Sequence, residues 1–322
     1  MTSIDTIKQT IAPDLAALNT LIREQLRADN PLMDTVIEGF LTSKGKQIRP
    51  IVVMLCARIF GAVTQRVLNA AAAVELLHNA SLIHDDVVDE SKLRRNVPTI
   101  NAVWDNHIAV LVGDFFVSTA LQQAIATGDI RIVEAIGRLG KLLSLGEIDQ
   151  IYNAREHSLT EESYFKIINY KTASLFVACA RVGCHAAGAS DADTDTLSRV
   201  AELLGLCFQL RDDVFDYFDS EKVGKPTGND LREGKITLPL LYALGRTDSP
   251  ECEHMRRLAA TELLADDQIA TLQDYARREG GIDYTYQRMH QLREQAAEIL
   301  RASDIHAPEL LDLFDYIIAR EF

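Results

Sequence analysis

Proline is missing from a long central part of this sequence. Residues 99 to 225 contain none, and runs that alternate apolar with polar residues are almost absent. Proline is poorly tolerated inside helices, and alternation is typical of half-buried strands, so both absences favour long helices. Apolar residues recur at helical spacing in Ser163–Gly188 and Asp195–Asp219. We therefore predict an all-α fold.

Paired cysteines and membrane-spanning runs are also lacking. The five cysteines are odd in number and form no CxxC pair, which indicates buried, reduced thiols in a cytoplasmic protein. The first residues lack the basic start and apolar core of a signal peptide. Because no uninterrupted apolar run reaches the length of a membrane span, we predict no transmembrane segment.

Positive charge is scarce. Lysine and arginine number 33 against 47 acidic residues, which gives a net charge of −14. This balance argues against binding to nucleic acid or to an anionic membrane surface, since phosphate backbones select basic faces. It leaves room for a small anionic substrate, because metal ions and a few local cations reverse the charge within a pocket.

Interdomain linkers are not evident either. No stretch of the 322 residues is rich in serine or glycine in the manner of a linker, and the longest irregular piece is Ser220–Thr237. We predict one domain over residues 1–322, with an N-terminal helical segment at about 1–30 and a catalytic core over 31–322.

The chain does contain two copies of one acidic pattern, Asp-Asp-Val-X-Asp, and each copy follows an apolar helical run. The first copy comprises Asp85, Asp86 and Asp89, and the second comprises Asp212, Asp213 and Asp216. In a helix, residues four apart share a face, so each copy presents two carboxylates side by side. Carboxylate oxygens are hard ligands that suit Mg²⁺, which takes few carboxylates and completes its shell with waters and phosphates. A solvated helix end explains one copy well but two matching copies poorly, and an EF-hand loop fits neither.

Cations suited to phosphate accompany the acidic copies. Lys171 is notable because it sits in an apolar helical run, where an amine needs a partner. The other candidates are lysines and arginines of a kind common on protein surfaces, but the same side chains also bind phosphate oxygens. They are Lys46, Arg49, Arg94, Arg95, Lys225 and Lys235. Six aspartates, Mg²⁺ and about as many cations suit two diphosphates at once, and the long apolar helices suit hydrocarbon tails.

Together these motifs resemble the trans-isoprenyl diphosphate synthases, the family of farnesyl, geranylgeranyl and polyprenyl diphosphate synthases. The resemblance covers nearly the whole chain. It rests on the two aspartate motifs and on the segments Gly45–Pro50, Arg94-Arg95, Gly113-Asp114, Gly146-Glu147, Lys171-Thr172, Gln209–Asp213 and Gly224–Lys235.

The resemblance implies a helical bundle around a deep central cavity, with the two motifs facing each other at its mouth. It assigns Asp85 and Asp89 to two Mg²⁺ ions and Asp212 to a third, with Asp86, Asp213 and Asp216 in support. Around the allylic diphosphate it places Arg94, Lys171 and Lys225, with Gln209 and Thr172 nearby. To isopentenyl diphosphate it assigns Lys46, Arg49, His78 and Arg95. Lys235 and the Ser220–Thr237 loop would close as a lid.

The expected reaction is a prenyl transfer. Metal and basic side chains stabilise departing pyrophosphate, the double bond of isopentenyl diphosphate attacks the allylic carbon, and a proton is lost. No protein nucleophile is needed. His84, beside Asp85, either supports the site or is a plain structural histidine.

Product length should depend on residues one helical turn before the first motif. Ala80 and Ser81 are small, whereas a bulky aromatic residue at this place stops growth early in the family. We therefore expect a long all-trans product of about octaprenyl size for a quinone side chain. A facing helix near Ile136, Leu139 or Leu143 would form the cavity floor.

Other functions remain open. A short-chain farnesyl or geranylgeranyl synthase would share every motif. A class I terpene cyclase should lack the second aspartate motif and the isopentenyl site, and a non-catalytic synthase subunit should lack acidic clusters; this chain keeps both motifs. The resemblance also suggests a homodimer, with the amphipathic N-terminal helices as one candidate contact.

Overall fold

The computed structural model describes residues 4–42, 47–94, 97–156, 160–218, 228–261 and 263–320. Helices dominate these residues, which confirms the all-α prediction. The strands of the described part form one two-stranded antiparallel hairpin, β1 (Leu93–Arg94) with β2 (Val97–Pro98). This hairpin directly follows the first aspartate motif.

The helices are, in chain order, α1 Ile4–Thr10, α2 Ala12–Gln25, α3 Pro31–Thr42, α4 Ile48–Phe60, α5 Gln65–Val88, α6 Ile100–Val103, α7 Asn106–Ala126, α8 Ile130–Glu156 and α9 Glu161–Ile168. A π-helix, Asn169–Ala173, then leads into α10 Ser174–Ala186. The remaining helices are α11 Asp191–Phe215, α12 Asn229–Arg232, α13 Leu238–Gly245, α14 Pro250–Ala259, α15 Asp266–Arg278, α16 Gly281–Arg301 and α17 Pro308–Ala319.

Local sequence explains several helix ends. Asp105 accepts the Ile108 N–H at 2.8 Å and begins α7, and the pair Thr160/Ser163 forms a reciprocal capping box at α9. Gly188 follows α10 with φ of 80°, a left-handed conformation that glycine adopts without strain. The helical spacing of apolar residues over Ser163–Gly188 corresponds to α9, the π-helix and α10, and periodicity alone does not reveal the π-helix.

The described chain divides into two compact units. The first contains Met1–Lys141, Ser174–Ala201 and Ile299–Asp312, and the second contains Leu142–Ala173, Glu202–Glu298 and Leu313–Phe322. The first aspartate motif belongs to the first unit and the second motif to the second. The single-domain assignment stays a prediction.

In the first unit, α5 is the central element. Its alanines Ala70–Ala73 are at most 1% exposed, and it packs against α2, α4, α7 and α10. Small residues allow close approach: a Cβ added at Gly183 of α10 would lie 2.4 Å from the Val53 carbonyl oxygen of α4. All five cysteines of the chain, three in this unit and two in the second, are buried and unpaired, as predicted.

In the second unit, an apolar cluster lies beneath the second motif. Val214 and Tyr217, the neighbours of the motif aspartates, are buried in it together with Leu240, Leu272 and Ile269. The Tyr217 hydroxyl lies 3.0 Å from the Thr237 hydroxyl, so the end of α11 and the start of α13 are joined by a buried hydrogen bond. The packed side chains of this cluster therefore support the backbone at the second motif.

One helix among the described residues, α7, is long and apolar enough to cross a membrane by length and composition. Phe116 and Ala120 on one side of α7 are fully buried. The opposite side exposes a set of apolar residues that we call the α7 face, Val110, Leu111, Val117, Leu121 and Ile125.

Candidate active site

The first aspartate motif lies at the C-terminal end of α5. The Asp89 N–H donates to the Asp85 carbonyl at 2.8 Å, so the helical hydrogen-bond pattern continues through the motif. Asp85 is half-buried and Asp89 is exposed. Residues related in this way share a helix face, so Asp85 and Asp89 present neighbouring carboxylates, as the spacing predicts.

Asp86 has a different setting, because it is buried and paired. Arg94 of β1 donates from Nε to both carboxylate oxygens, at 2.9 and 3.0 Å, and its Nη2 lies 2.8 Å from one of them. The side-chain amide of Asn101 donates to the Asp86 carbonyl at 3.1 Å. A two-point arginine–carboxylate pair is a strong, oriented contact, so the hairpin is tied to the end of α5.

His84 explains why a glycine lies at position 113. A Cβ added at Gly113 would lie 2.2 Å from His84 Nε2, so the ring occupies the space that any larger residue would fill. His84 Nε2 also lies 3.3 Å from the Val110 carbonyl oxygen and 3.4 Å from Asp114 Oδ1. His84 thus joins α5 to α7 directly beside the first motif.

The second motif begins inside α11, and its middle aspartate is the most buried. Asp213, 2% exposed, accepts hydrogen bonds from the Tyr164 hydroxyl and, at 2.7 Å, from the Gln209 amide. Thr172 donates to Gln209 Oε1 at 2.6 Å. Burial raises the pKa of Asp213 to about 7 and also raises the pKa of Tyr164.

Asp216 lies just beyond α11 and binds backbone. Its carboxylate accepts the N–H groups of Asn229 at 3.0 Å and Asp230 at 3.1 Å, and its carbonyl accepts the Gly228 N–H at 3.1 Å. Burial raises the pKa of Asp216, and burial together with the Asp216 and Asp213 charges raises that of Asp230. The side chains of Asp213, Asp216 and Asp230 are thus partly removed from water and lie close enough for their charges to interact.

Asp212 is the more open member of the second motif, with 42% of its side chain exposed. It accepts a hydrogen bond from Arg320, whose own side chain is only 6% exposed. Position 320 was not among the predicted site residues. It lies more than a hundred positions away in sequence, and no local pattern connects it with the motif.

Lys171 lies in the π-helix, and its amine has the partners that its apolar surroundings require. Nζ lies 2.5 Å from Glu147 Oε2 and donates to Gln150 Oε1 at 3.0 Å. A Cβ added at Gly146 would lie 2.9 Å from the Lys171 backbone nitrogen. Gly146 therefore lets α8 approach the π-helix, and π-helical turns occur frequently at functional sites.

The remaining predicted residues are less informative. Arg49 is half-buried near the start of α4, and His78 is buried in α5. Lys235 pairs with Glu233, and its N–H donates to the Asp230 carbonyl at 2.7 Å. Lys46, Arg95 and Lys225 lie outside the described residues.

The donor chemistry suits a hard divalent cation. Within the described part of the chain, no three His, Cys, Asp or Glu side chains are arranged to hold an ion alone. Mg²⁺ commonly needs only one or two carboxylates per ion when phosphates supply the rest. The raised pKa values of Asp213, Asp216 and Asp230 reflect burial and neighbouring negative charge, which a bound cation would counter. The residues present therefore fit such an ion.

Comparison with known proteins gives consistent matches. The family model described as polyprenyl synthetase matches residues 30–275. The octaprenyl diphosphate synthase of Escherichia coli is 35% identical over 93% of this chain and 93% of its own length. A Caulobacter crescentus polyprenyl synthase, crystallised with calcium and isoprenyl diphosphate, superposes with a TM-score of 0.92 at 32% identity, over 99% of this chain and 98% of that one.

A short-chain enzyme is similar as well. The geranylgeranyl pyrophosphate synthase of Bacteroides thetaiotaomicron superposes with a TM-score of 0.85 at 37% identity, over 99% of this chain and 100% of that one. Fold and family are therefore shared by enzymes that make products of different length. The matches agree on family, and this chain belongs to the polyprenyl synthetases, a family of prenyltransferases.

Proposed function

We propose that the chain condenses an allylic diphosphate, such as farnesyl diphosphate, with successive isopentenyl diphosphates to give an all-trans polyprenyl diphosphate of about octaprenyl size, for use as a quinone side chain. The observation that carries this proposal is that both Asp-Asp-Val-X-Asp copies are intact at helix ends, in a chain 35% identical to an octaprenyl diphosphate synthase.

Three Mg²⁺ ions per active site are proposed, two held by Asp85 and Asp89 and one by Asp212. Bound Mg²⁺ would supply positive charge that stabilises departing pyrophosphate. Asp86, Asp213 and Asp216 are buried or half-buried and already hydrogen-bonded to protein groups. That arrangement suits a supporting role, in which they hold helix ends and loops in place.

The basic residues divide into two proposed sets. Lys171, Arg94 and Lys225, with Thr172 and Gln209, would bind the allylic diphosphate, while Lys46, Arg49, His78 and Arg95 would bind isopentenyl diphosphate. Lys171 would exchange Glu147 and Gln150 for phosphate oxygens, because a diphosphate carries more negative charge than one carboxylate. Closure of a lid that includes Lys235 would exclude water, which otherwise quenches an allylic cation.

Product length would depend on the part of α5 before Asp85. Ala80 is fully buried, whereas Ser81 is half-buried and donates to the His78 carbonyl at 2.8 Å. A phenylalanine at position 80 would overpack the core, a change that typically costs ~1–3 kcal/mol. Ser81→Phe is therefore the cleaner test. It should shorten the product, and an unchanged length distribution would contradict this location of the channel.

The central experiment incubates the pure protein with farnesyl diphosphate, excess isopentenyl diphosphate and Mg²⁺, and sizes the product by chromatography. Pyrophosphate release with a product of about forty carbons supports the proposal, and a product that stops at twenty carbons supports the short-chain alternative. Pyrophosphate release with a cyclic hydrocarbon would identify a terpene cyclase. An inactive protein that becomes active only with a second chain would identify a non-catalytic subunit.

The assignment of the isopentenyl site is tested by the Lys46→Ala/Arg49→Ala double variant. It should chiefly raise the KM for isopentenyl diphosphate, because two cations that bind its phosphates are removed. Lys8→Ala/Arg27→Ala, a pair outside the proposed site, serves as the control. A selective defect for the allylic substrate would contradict the assignment.

We propose a homodimer that associates through the α7 face. The apolar side chains Ile7, Ile11 and Leu18 of the N-terminal helices are buried in their own chain, so the α7 face is the better candidate contact. A large exposed apolar patch marks an interaction site, and α7 contains no Lys or Arg to attract anionic lipid. Leu111→Glu/Leu121→Glu should give monomers in sedimentation at unchanged helicity; a dimer that persists would exclude this face.

A cytoplasmic location is proposed on the basis of the five unpaired, buried cysteines. Cell fractionation tests this assignment, since recovery of the protein in the soluble fraction supports it and recovery in the membrane fraction opposes it.

A further inference from the structure

Arg320, which directly follows α17, makes contacts through both its side chain and its backbone. Its guanidinium group lies 4.5 Å from the ring centre of Phe208 and 5.1 Å from that of Phe215. Its carbonyl oxygen accepts hydrogen bonds from Arg211, from Nε at 3.1 Å and from Nη2. The aromatic rings thus hold the guanidinium group of Arg320, and the Arg211 side chain holds its backbone carbonyl.

This arrangement directs the guanidinium to Asp212, the first aspartate of the second motif. The Arg320 side chain is 6% exposed, while that of Asp212 is 42% exposed. Asp212 can therefore be approached from solvent, but its carboxylate already has a positively charged partner that cannot diffuse away. Arg211 is also close enough that Asp212 and Arg320 both influence its pKa, which burial lowers.

A guanidinium and a divalent cation compete for the same carboxylate oxygens. Binding of a metal ion to Asp212 weakens the contact with Arg320, because the two positive charges repel at short range. We propose that Arg320 is a positioning residue, the built-in counter-ion of Asp212, which lowers the affinity of Asp212 for a divalent cation until the ion exchanges with it. The inference rests on the proposed role of Asp212 as a metal ligand.

Direct Mn²⁺ binding tests this without turnover. Metal-free protein is titrated with Mn²⁺ in the absence of substrates, and free Mn²⁺ is followed by electron paramagnetic resonance. Arg320→Met should bind Mn²⁺ about fivefold more tightly than wild type, because a charge-assisted contact no longer competes. Arg320→Lys, which retains the charge, should stay within about twofold of wild type. Arg293→Met is the matched control, since Arg293 pairs with Asp315 at 3.1 Å in the same unit.

Equal or weaker Mn²⁺ binding by Arg320→Met would overturn the inference, because Arg320 would then not compete. If that variant does not fold, as judged by circular dichroism, Arg320→Gln carries the same expectation, since it keeps a donor without the charge. Asp212→Asn distinguishes the role of Asp212 as a metal ligand from the role of Arg320 as a competitor. If it leaves Mn²⁺ binding intact, the metal assignment itself fails. If it removes the affected site while Arg320→Met and Arg320→Gln change nothing, only the role of Arg320 fails.

Discussion

Asp86 and Asp213 are the middle aspartates of the two Asp-Asp-Val-X-Asp copies, yet a cation pairs with the first and neutral donors bind the second. Both are buried. Asp86 is paired with a cation, Arg94, which is itself 38% exposed. Asp213 is bound only by neutral donors in the contacts described above, the Tyr164 hydroxyl and the Gln209 amide, and burial raises its pKa to about 7.

The difference shows that a repeated sequence motif is not a repeated chemical environment. The partner of Asp86 comes from a hairpin eight residues later, whereas Tyr164 comes from a helix far earlier in the chain than Asp213. The first motif therefore balances its buried charge locally. The second motif places Asp213 and Asp216 near Asp230, and burial raises the pKa of all three carboxyl groups.

We expect the largest effect on activity from Asp85 and Asp212, the first aspartate of each motif, which should act alike as metal ligands. Asp85→Asn and Asp212→Asn should each reduce kcat/KM by ~10³, the loss typical when one preorganised charge-stabilising group is removed. Asp85 is half-buried, so the melting temperature of Asp85→Asn should change little. Asp212→Asn should melt at a lower temperature, because it removes the charged partner of Arg320, whose side chain is 6% exposed. Steady-state kinetics and thermal melting measure the two quantities, with Glu90→Gln, an exposed neighbour, as control. A variant that retains full activity would remove its motif from the site.

The next effect should separate the motifs. Arg94→Met leaves Asp86 as an unpaired buried carboxylate, a change expected to cost ~3 kcal/mol in the free energy of unfolding. Tyr164→Phe leaves Gln209 in place to serve Asp213 and should cost ~1 kcal/mol.

Urea denaturation of the metal-free variants measures this difference. Lys92→Met and Tyr152→Phe, both at exposed positions, provide matched controls. Equal losses for Arg94→Met and Tyr164→Phe would show that the two middle aspartates are stabilised alike, against the contrast drawn from their partners.

A smaller effect should distinguish the two glycines beside the motifs. Gly146→Ala forces a methyl group against the Lys171 backbone, whereas Gly113→Ala meets the His84 ring, a side chain that rotates. We expect Gly146→Ala to raise the KM for the allylic diphosphate by about tenfold, because Lys171 moves. Gly113→Ala should raise it less than about threefold. Steady-state kinetics with farnesyl diphosphate measure the KM of each variant. A larger rise for Gly113→Ala than for Gly146→Ala would mean that the π-helix moves aside more easily than the His84 ring.

The smallest effect concerns Asp129, the third buried aspartate of the described chain and a reference for the other two. Its hydrogen bonds and ion pairs with Arg131 and Arg66 lower its pKa to about 2. Since the unfolded state binds the proton first as pH falls, the stabilisation is complete above about pH 5. It should be lost as pH falls through about 2, a change of about 2 kcal/mol.

Unfolding of wild type and Asp129→Asn between pH 6 and 2 tests this. The difference between the two free energies of unfolding should shrink as pH falls. A difference independent of pH would indicate that Asp129 acts through its shape rather than its charge.

The fold and the motif positions were predictable because they depend on local sequence. Missing proline and helical periodicity predict α11, and the apolar helical run before the first motif predicts α5. The aspartates lie at the ends of both helices as expected. The π-helix was not predictable, since apolar periodicity does not distinguish it from an α-helix and its close neighbour Gly146 comes from another helix. Tyr164 and Arg320 were missed because only the folded chain brings them to Asp213 and Asp212, and no pattern near either residue marks it.

The hydrogen bonds to Asp216 also make a demand on position 228, the residue before α12. Gly228 donates its N–H to the Asp216 carbonyl, and Asn229 and Asp230 donate theirs to the Asp216 carboxylate. Gly228 has φ of 75°, and a Cβ at this position would lie 2.4 Å from an Ile269 side-chain carbon. Glycine meets both conditions without strain, so the last aspartate of the second motif depends on a neighbour that has no side chain.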